Sequence, residues 1–256
     1  MLQTSVLNNS DKPIELKSGE VTGTMKKVVE ADDALLKPVI KKYEYPDKVK
    51  INLELCVGDQ QKVAAVISEY SDTFNNSEEL NVANKVEHAI RTTGPPIASR
   101  PYRMSEAEKK VIQEEIKRML SLGVIRHSKS PWSSPIVLAR KKDGSVRFCV
   151  DYRKLNAVTE RDVYPLPRIE DVLDKLQGKR FFSTCDAASG FWQIRLPEAD
   201  KAKTAFTSER GLFEFEVMPF GLTNAPATFQ RLMDQVFSDL LFLFILVYID
   251  DIMVHS

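Results

Sequence analysis

Two adjacent carboxylates, Asp250-Asp251, stand in the middle of the apolar stretch Phe244-Ile245-Leu246-Val247-Tyr248-Ile249-Asp250-Asp251-Ile252-Met253-Val254. Placing charge among apolar neighbours costs several kcal/mol unless the charge is paired or bound to a cation. The stretch therefore admits two folds. It is a hairpin whose acidic tip reaches water, since Asp favours turns, or a hairpin that presents both carboxylates to a metal ion. Taken alone, the pair fits the commoner surface turn.

A second acidic position changes the balance. Asp186 ends the β-rich run Phe181-Phe182-Ser183-Thr184-Cys185, and the small residues Ala187-Ala188-Ser189-Gly190 follow it. A strand-end Asp beside a hairpin Asp-Asp can hold two Mg²⁺ ions about 4 Å apart for in-line attack on a phosphate. His88, His127 and His255 are scattered, so no zinc site is expected. Cys56, Cys149 and Cys185 are odd in number and lack C-x-x-C spacing, which implies neither a disulfide framework nor a zinc knuckle. The run Leu240–Val247 falls well short of the roughly 20 residues that span a bilayer, so no membrane partner is expected. The N-terminus has no basic start or apolar segment of a secretory signal, and secretion is not expected.

The chain is formally neutral, with 36 basic and 36 acidic side chains, yet the charges are unevenly spread. Residues 101–160 hold 13 basic and 7 acidic side chains, whereas residues 161–256 hold 10 and 14. A basic middle beside an acidic end suits a protein that grips phosphates with one region and metal ions with another; a solvated helix face plus chance is the plain alternative.

The periodicities give a coarse map. Val49, Ile51, Leu53, Leu55 and Val57 alternate as in a strand, and Lys62–Phe74 predicts a short helix with Val63, Val66, Ile67 and Tyr70 on one face. Residues 75–104, with Gly94-Pro95-Pro96, read as an extended linker. Ser105-Glu106-Ala107-Glu108 is a capping box ahead of Val111, Ile112, Ile116, Met119 and Leu120, and Gly123 marks the helix end. Ile136–Ala139 and Val146–Tyr152 predict a hairpin with the cationic tip Arg140-Lys141-Lys142-Asp143-Gly144-Ser145. Arg147, Cys149 and Asp151 share one face of its return strand. Pro167 opens a short helix carrying Ile169, Val172, Leu173 and Leu176. Residues 204–218 predict a second hairpin turning near Glu209-Arg210-Gly211, and Ala225–Leu240 a helix with Phe229, Leu232, Met233, Val236 and Phe237 on one face.

The region from about residue 85 to 256 resembles the reverse transcriptase of Ty3/gypsy-type long-terminal-repeat retrotransposons. The resemblance is carried by Ser130-Pro131-Trp132-Ser133-Ser134-Pro135, by Lys141-Lys142-Asp143-Gly144-Ser145-Val146-Arg147-Phe148-Cys149-Val150-Asp151-Tyr152-Arg153-Lys154-Leu155-Asn156, and by Tyr164-Pro165-Leu166-Pro167. It continues in Phe182-Ser183-Thr184-Cys185-Asp186, in Met218-Pro219-Phe220-Gly221-Leu222-Thr223-Asn224-Ala225-Pro226-Ala227-Thr228-Phe229-Gln230, and in Tyr248-Ile249-Asp250-Asp251. Ordered blocks over about two thirds of the chain are specific where a lone Y-x-D-D would be weak. Family members often have Leu-Asp where this chain has Cys185-Asp186; Cys is small and apolar enough to serve.

The resemblance implies an α+β fold: reverse-transcriptase fingers and palm, with an antiparallel palm sheet packed on helices and truncated before the thumb. The implied division is a protease–polymerase connector remnant over residues 1–60, a helix and linker over 61–97, fingers over 98–165 and an incomplete palm over 166–256. It implies that Asp186, Asp250 and Asp251, with the carbonyl of Ala187, hold two Mg²⁺ ions, with Mn²⁺ as an alternative. Lys141 or Lys142 and Arg147 would meet the incoming triphosphate, Arg through its bidentate fork. Phe191 would lie under the sugar and disfavour a 2′-hydroxyl, although an ordinary core aromatic is its rival. Phe220 and Gly221 would border the nascent base pair, and Tyr248 the primer terminus. Trp132 and Trp192 read as packing residues. The implied partners are an RNA or DNA template with its primer, deoxynucleoside triphosphates, and the thumb and RNase H portions of a parent polyprotein. The implied location is intracellular, in cytoplasmic retrotransposon particles, with the nucleus as the alternative. The expected activity is RNA-directed DNA polymerase, weak or lost in the isolated fragment. The rivals are a non-catalytic nucleic-acid-binding remnant and a fold-defective reading frame with an exposed sheet edge.

Overall fold

The computed structural model describes residues 49–52, 55–73, 82–140, 144 and 146–256. The chain divides into two units, Met1–Asn75 and Asn76–Ser256. In the first, α1 spans Val57–Glu69 and buries Ala64 and Ile67. It begins five residues before the expected helix, and Val66 and Tyr70 of the expected apolar stripe are exposed. The alternation over 49–57 forms no strand among its described residues. A period of two needs a partner strand to become one.

The second unit opens with β1, Ala83–Glu87, where an extended linker was expected. This stretch is extended but packed, because β1 pairs in parallel with β6, Ile194–Arg195. Just beyond it, the Ile90 amide donates to Asp200 at 2.9 Å, and Lys203 donates to the Ile90 carbonyl and Asp200. Helix α2, Glu106–Ser121, has the expected capping box: the Glu108 amide donates to Ser105 Oγ at 3.3 Å and the Ser105 amide to Glu108 Oε2 at 2.7 Å. It buries Ile112, Ile116 and Met119, and Gly123, at φ +69°, ends it.

A five-stranded sheet follows, in the order β2-β8-β7-β3-β4. Its members are β2 (Ile125–His127), β3 (Ser134–Arg140), β4 (Val146–Val150), β7 (Phe206–Ser208) and β8 (Gly211–Phe215). β3 pairs antiparallel with β4 and in parallel with β7, and β7–β8 is the second expected hairpin. Short helix α3, Arg153–Ala157, leaves β4, and α4, Ile169–Lys175, follows. Arg168 is the N-cap of α4, so Pro167 lies just ahead of the helix instead of opening it. No residue of α4 is buried.

The third sheet, in the order β5-β10-β9, is antiparallel throughout. It consists of β5 (Phe182–Asp186), β9 (Ile245–Tyr248) and β10 (Asp251–His255). β5 is one of its two edge strands and is exposed along its whole length. Short helix α5, Glu198–Lys201, precedes β7, and α6, Ala225–Val236, packs against β9. α6 ends four residues sooner than its sequence pattern suggested, and Val236 is exposed. One core joins both larger sheets: Ile116 and Met119 of α2, Phe206, Phe213 and Phe215, Phe229 and Leu232 of α6, and Ile245 and Val247 of β9. The expected α+β architecture, with an antiparallel sheet packed on helices, is the one observed.

Candidate active site

Strand register brings together three acids far apart in sequence. Asp251, the first residue of β10, pairs across β5 with Asp186, its last, and across β9 with Tyr248. Asp186, Asp251 and Tyr248 thus lie in adjacent positions at one end of the sheet. Asp250 occupies the two-residue turn between β9 and β10, after Ile249 at φ +55°. The Ala187 amide points at the Asp250 carbonyl from 3.4 Å.

The electrostatics are unbalanced. Oδ1 of Asp250 is buried with no hydrogen-bond partner. Burial, then the charges of Asp186 and Asp251, push the Asp250 carboxyl above the ordinary carboxylate range. No ion pair among the described residues includes any of the three acids. Among the described residues, no three His, Cys, Asp or Glu side chains close a cage around an ion by themselves. An open set with one orphaned, desolvated oxygen fits a hard cation that takes one or two carboxylates and completes its shell with water and substrate phosphates. The Ala187 carbonyl accepts the Gly190 amide at 3.1 Å.

A short helical turn, Gly190–Gln193, sets the next residues. Phe191 is only 7% exposed; it stacks on Phe220 at 4.9 Å and tilts against Phe229 at 5.4 Å. Phe220 is 47% exposed, so the accessible ring of this pair is Phe220 and Phe191 is its buried support. Gly221, at φ +93°, turns the chain beside Tyr152 and Val150. Asn156 holds that turn with both ends of its amide, donating to the Gly221 carbonyl at 2.8 Å and accepting the Thr223 amide at 3.0 Å. Arg147 lies exposed on β4 opposite Ala139. Lys141 and Lys142 lie outside the described residues. Trp132 is buried in the core, and Trp192 is partly buried under the Arg118 guanidinium, 5.5 Å from its ring centre; both pack as expected.

Sequence reasoning passed over several polar residues that hold the site. Asn224 accepts the Asp162 amide and donates to the Glu160 carbonyl, tying that segment to the start of α6. Gln230, 1% exposed, accepts the Ile249 amide at 2.9 Å. The one available signal was an amide side chain directly beside the apolar stripe of α6. Asp151 accepts from the Tyr102 hydroxyl at 3.0 Å and from Arg153, whose guanidinium holds the carboxyl well below its ordinary range.

Residues 139–256 match the family described as reverse transcriptase (RNA-dependent DNA polymerase). Among curated relatives, the retrovirus-related Pol polyprotein from transposon 297 of Drosophila melanogaster is 41% identical over 189 residues, covering 72% of this chain and 18% of that protein. The chain thus spans about a fifth of that relative's length. Among solved structures, the prototype foamy virus protease–reverse transcriptase superposes with a TM-score of 0.71 at 23% identity, over 79% of this chain and 27% of that one. The foamy viral protease–reverse transcriptase in complex with an RNA/DNA hybrid gives 0.69 at 24% identity, over 84% and 31%. These likenesses support the fold alone. On the family match and the 41% identity across 72% of its length, the chain belongs, through residues 139–256, to the reverse transcriptase family.

Proposed function

We propose that this chain carries the catalytic acids of an RNA-directed DNA polymerase, which joins a deoxynucleotide to a primer 3′-hydroxyl and releases pyrophosphate. The observation that carries this reading is the Asp251–Asp186 register, with the orphaned Oδ1 of Asp250 in the adjoining turn. Enzymes of this family depend on divalent metal. Asp186, Asp250 and Asp251, with the Ala187 carbonyl, are the ligands we assign to two Mg²⁺ ions, or Mn²⁺ in their place. Bound there, the metals would supply acidification of the primer hydroxyl and neutralisation of phosphoryl charge.

The remaining assignments follow the family blocks. Arg147, with Lys141 or Lys142, would bind the triphosphate; an exposed guanidinium on a strand face supports this for Arg147. Phe220 and Gly221 would border the nascent pair. Phe191 would act beneath the sugar through its stack with Phe220, and Tyr248, paired with Asp251, would meet the primer end. Template–primer and deoxynucleoside triphosphates are the proposed ligands, and the thumb and RNase H portions of a parent polyprotein the proposed partners. An RNA/DNA hybrid in a solved neighbour supports the first.

The test pairs Mn²⁺ binding, followed by electron paramagnetic resonance, with Mg²⁺-dependent primer extension on an RNA template. Expected are Mn²⁺ binding lost in Asp250→Asn and slow extension abolished by the same substitution. Undiminished Mn²⁺ binding by Asp250→Asn would refute the metal assignment. Salt-sensitive primer–template binding with no incorporation would favour a non-catalytic binder.

A further inference from the structure

Ile249 holds a left-handed backbone at the site. It is the first of the two residues linking β9 to β10, at φ +55°, a place where hairpin turns usually carry glycine. A β-branched residue adopts that conformation only where its surroundings impose it. Because Asp250 follows directly, the backbone at Ile249 sets where that carboxylate points.

The group that binds its amide is on α6. Gln230 Oε1 accepts the Ile249 amide at 2.9 Å, while its Nε2 donates to the Val247 carbonyl at 3.4 Å and to Asp234 Oδ1 at 2.9 Å. Asp234 Oδ2 in turn accepts the Tyr164 hydroxyl at 2.6 Å. The Arg231 guanidinium lies 4.5 Å from the Tyr164 ring centre and pairs with Asp162 at 2.7 Å. A continuous line of polar contacts thus runs from the segment around Tyr164, through α6, to the turn that carries Asp250. An amide suits its centre, since it accepts from the Ile249 amide and donates to Val247 and Asp234 without adding charge.

We propose that Gln230, oriented by Asp234 and Tyr164, is a positioning residue that holds Ile249 in its left-handed conformation and so aims Asp250 at the divalent cation. The proposal rests on the reading of Asp250 as a metal ligand, and its test keeps the two apart. Mn²⁺ is titrated into the full chain by electron paramagnetic resonance, and hydrogen exchange of the Ile249 amide is followed without metal. Gln230→Met, which keeps length but removes all three bonds, is expected to weaken Mn²⁺ binding about tenfold, the usual effect of losing an outer-shell support. It should also accelerate exchange at Ile249. Adding Ile249→Gly should recover most of the affinity, because glycine adopts φ +55° unaided; a residue that merely stabilised the fold would show no such rescue. Tyr164→Phe should weaken Mn²⁺ binding about two- to threefold by loosening Asp234.

Unchanged Mn²⁺ affinity in Gln230→Met, with binding lost in Asp250→Asn, overturns the positioning role and leaves the metal reading standing. Mn²⁺ binding that survives Asp250→Asn overturns the metal reading and the proposal with it. If Gln230→Met does not fold, Tyr164→Phe decides: unaltered affinity together with unaltered Ile249 exchange overturns the proposal.

Discussion

Replacing Gly190 with alanine would place a Cβ 2.8 Å from Cζ of Phe229, 3.0 Å from Cε2 of the same ring and 3.1 Å from the Ala187 Cβ. Carbon atoms attract best at about 3.5–4.0 Å, so the new methyl group would sit roughly 0.5–1 Å inside the repulsive wall of three atoms. The ring cannot easily withdraw, because Phe229 is fully buried in the core between Phe191 and the rest of α6. Overpacking of this kind costs about 1–3 kcal/mol. Against it stands the reduced freedom of the unfolded chain, which favours Gly→Ala by about 0.4–1 kcal/mol where φ is compatible. The balance is a loss of about 1–2 kcal/mol, or a Tm lower by about 3–6 °C for a domain of this size.

Urea and thermal unfolding followed by tryptophan fluorescence suit this test, since Trp192 lies in the same turn as Gly190. The steric account makes a second demand. In a Phe229→Leu background, where the ring is gone, Gly190→Ala should cost less than about 0.5 kcal/mol, giving a coupling of about 1 kcal/mol between the two positions. Equal or greater stability of Gly190→Ala in the unaltered background would contradict the steric clash with Phe229. It would show that chain entropy outweighs a contact the packing cannot relieve.

Two further outcomes follow from charge and burial. His88 is buried against the Thr228 hydroxyl at 2.8 Å, and burial pushes its pKa down to about 4. The unfolded chain therefore takes up this proton first, so stability contributed by neutral His88 is complete above the ordinary value near 6.5 and drains away as pH falls towards 4, by up to about 3 kcal/mol. Urea midpoints measured between pH 7 and 4 should fall more steeply for the unaltered protein than for His88→Asn; parallel curves would contradict this. Without metal, Asp250→Asn should raise stability at neutral pH by about 1 kcal/mol or less, since it removes a desolvated charge beside Asp186 and Asp251. A lower Tm for the metal-free variant would mean that this carboxylate has a cationic partner within the fold.

Features that depend on a few neighbouring residues were legible in the sequence. The Ser105–Glu108 box, the Gly123 stop and the Glu209-Arg210-Gly211 turn could be read because caps and turns are decided within one turn of chain. The alternation over 49–57 misled because its described residues have no pairing partner, and the stretch after residue 75 read as a linker because its anchors, Asp200 and Lys203, lie more than a hundred residues on. At the site, the chain supplied the acids and the family blocks, but residue types alone left a surface turn and a metal ligand both open for Asp250-Asp251.

Residue order alone says which side chains are acidic, marks several caps and turns, and shows that an apolar stretch carries two carboxylates. Folding adds that Asp186 lies opposite Asp251, that Phe220 and not Phe191 is the accessible ring, and that Gln230 and Asn156 bond to the two turns. The physical reason is that register and burial are set by the summed packing of the whole core. Single amides that bond across 19 or 65 residues leave no periodic trace in the local pattern.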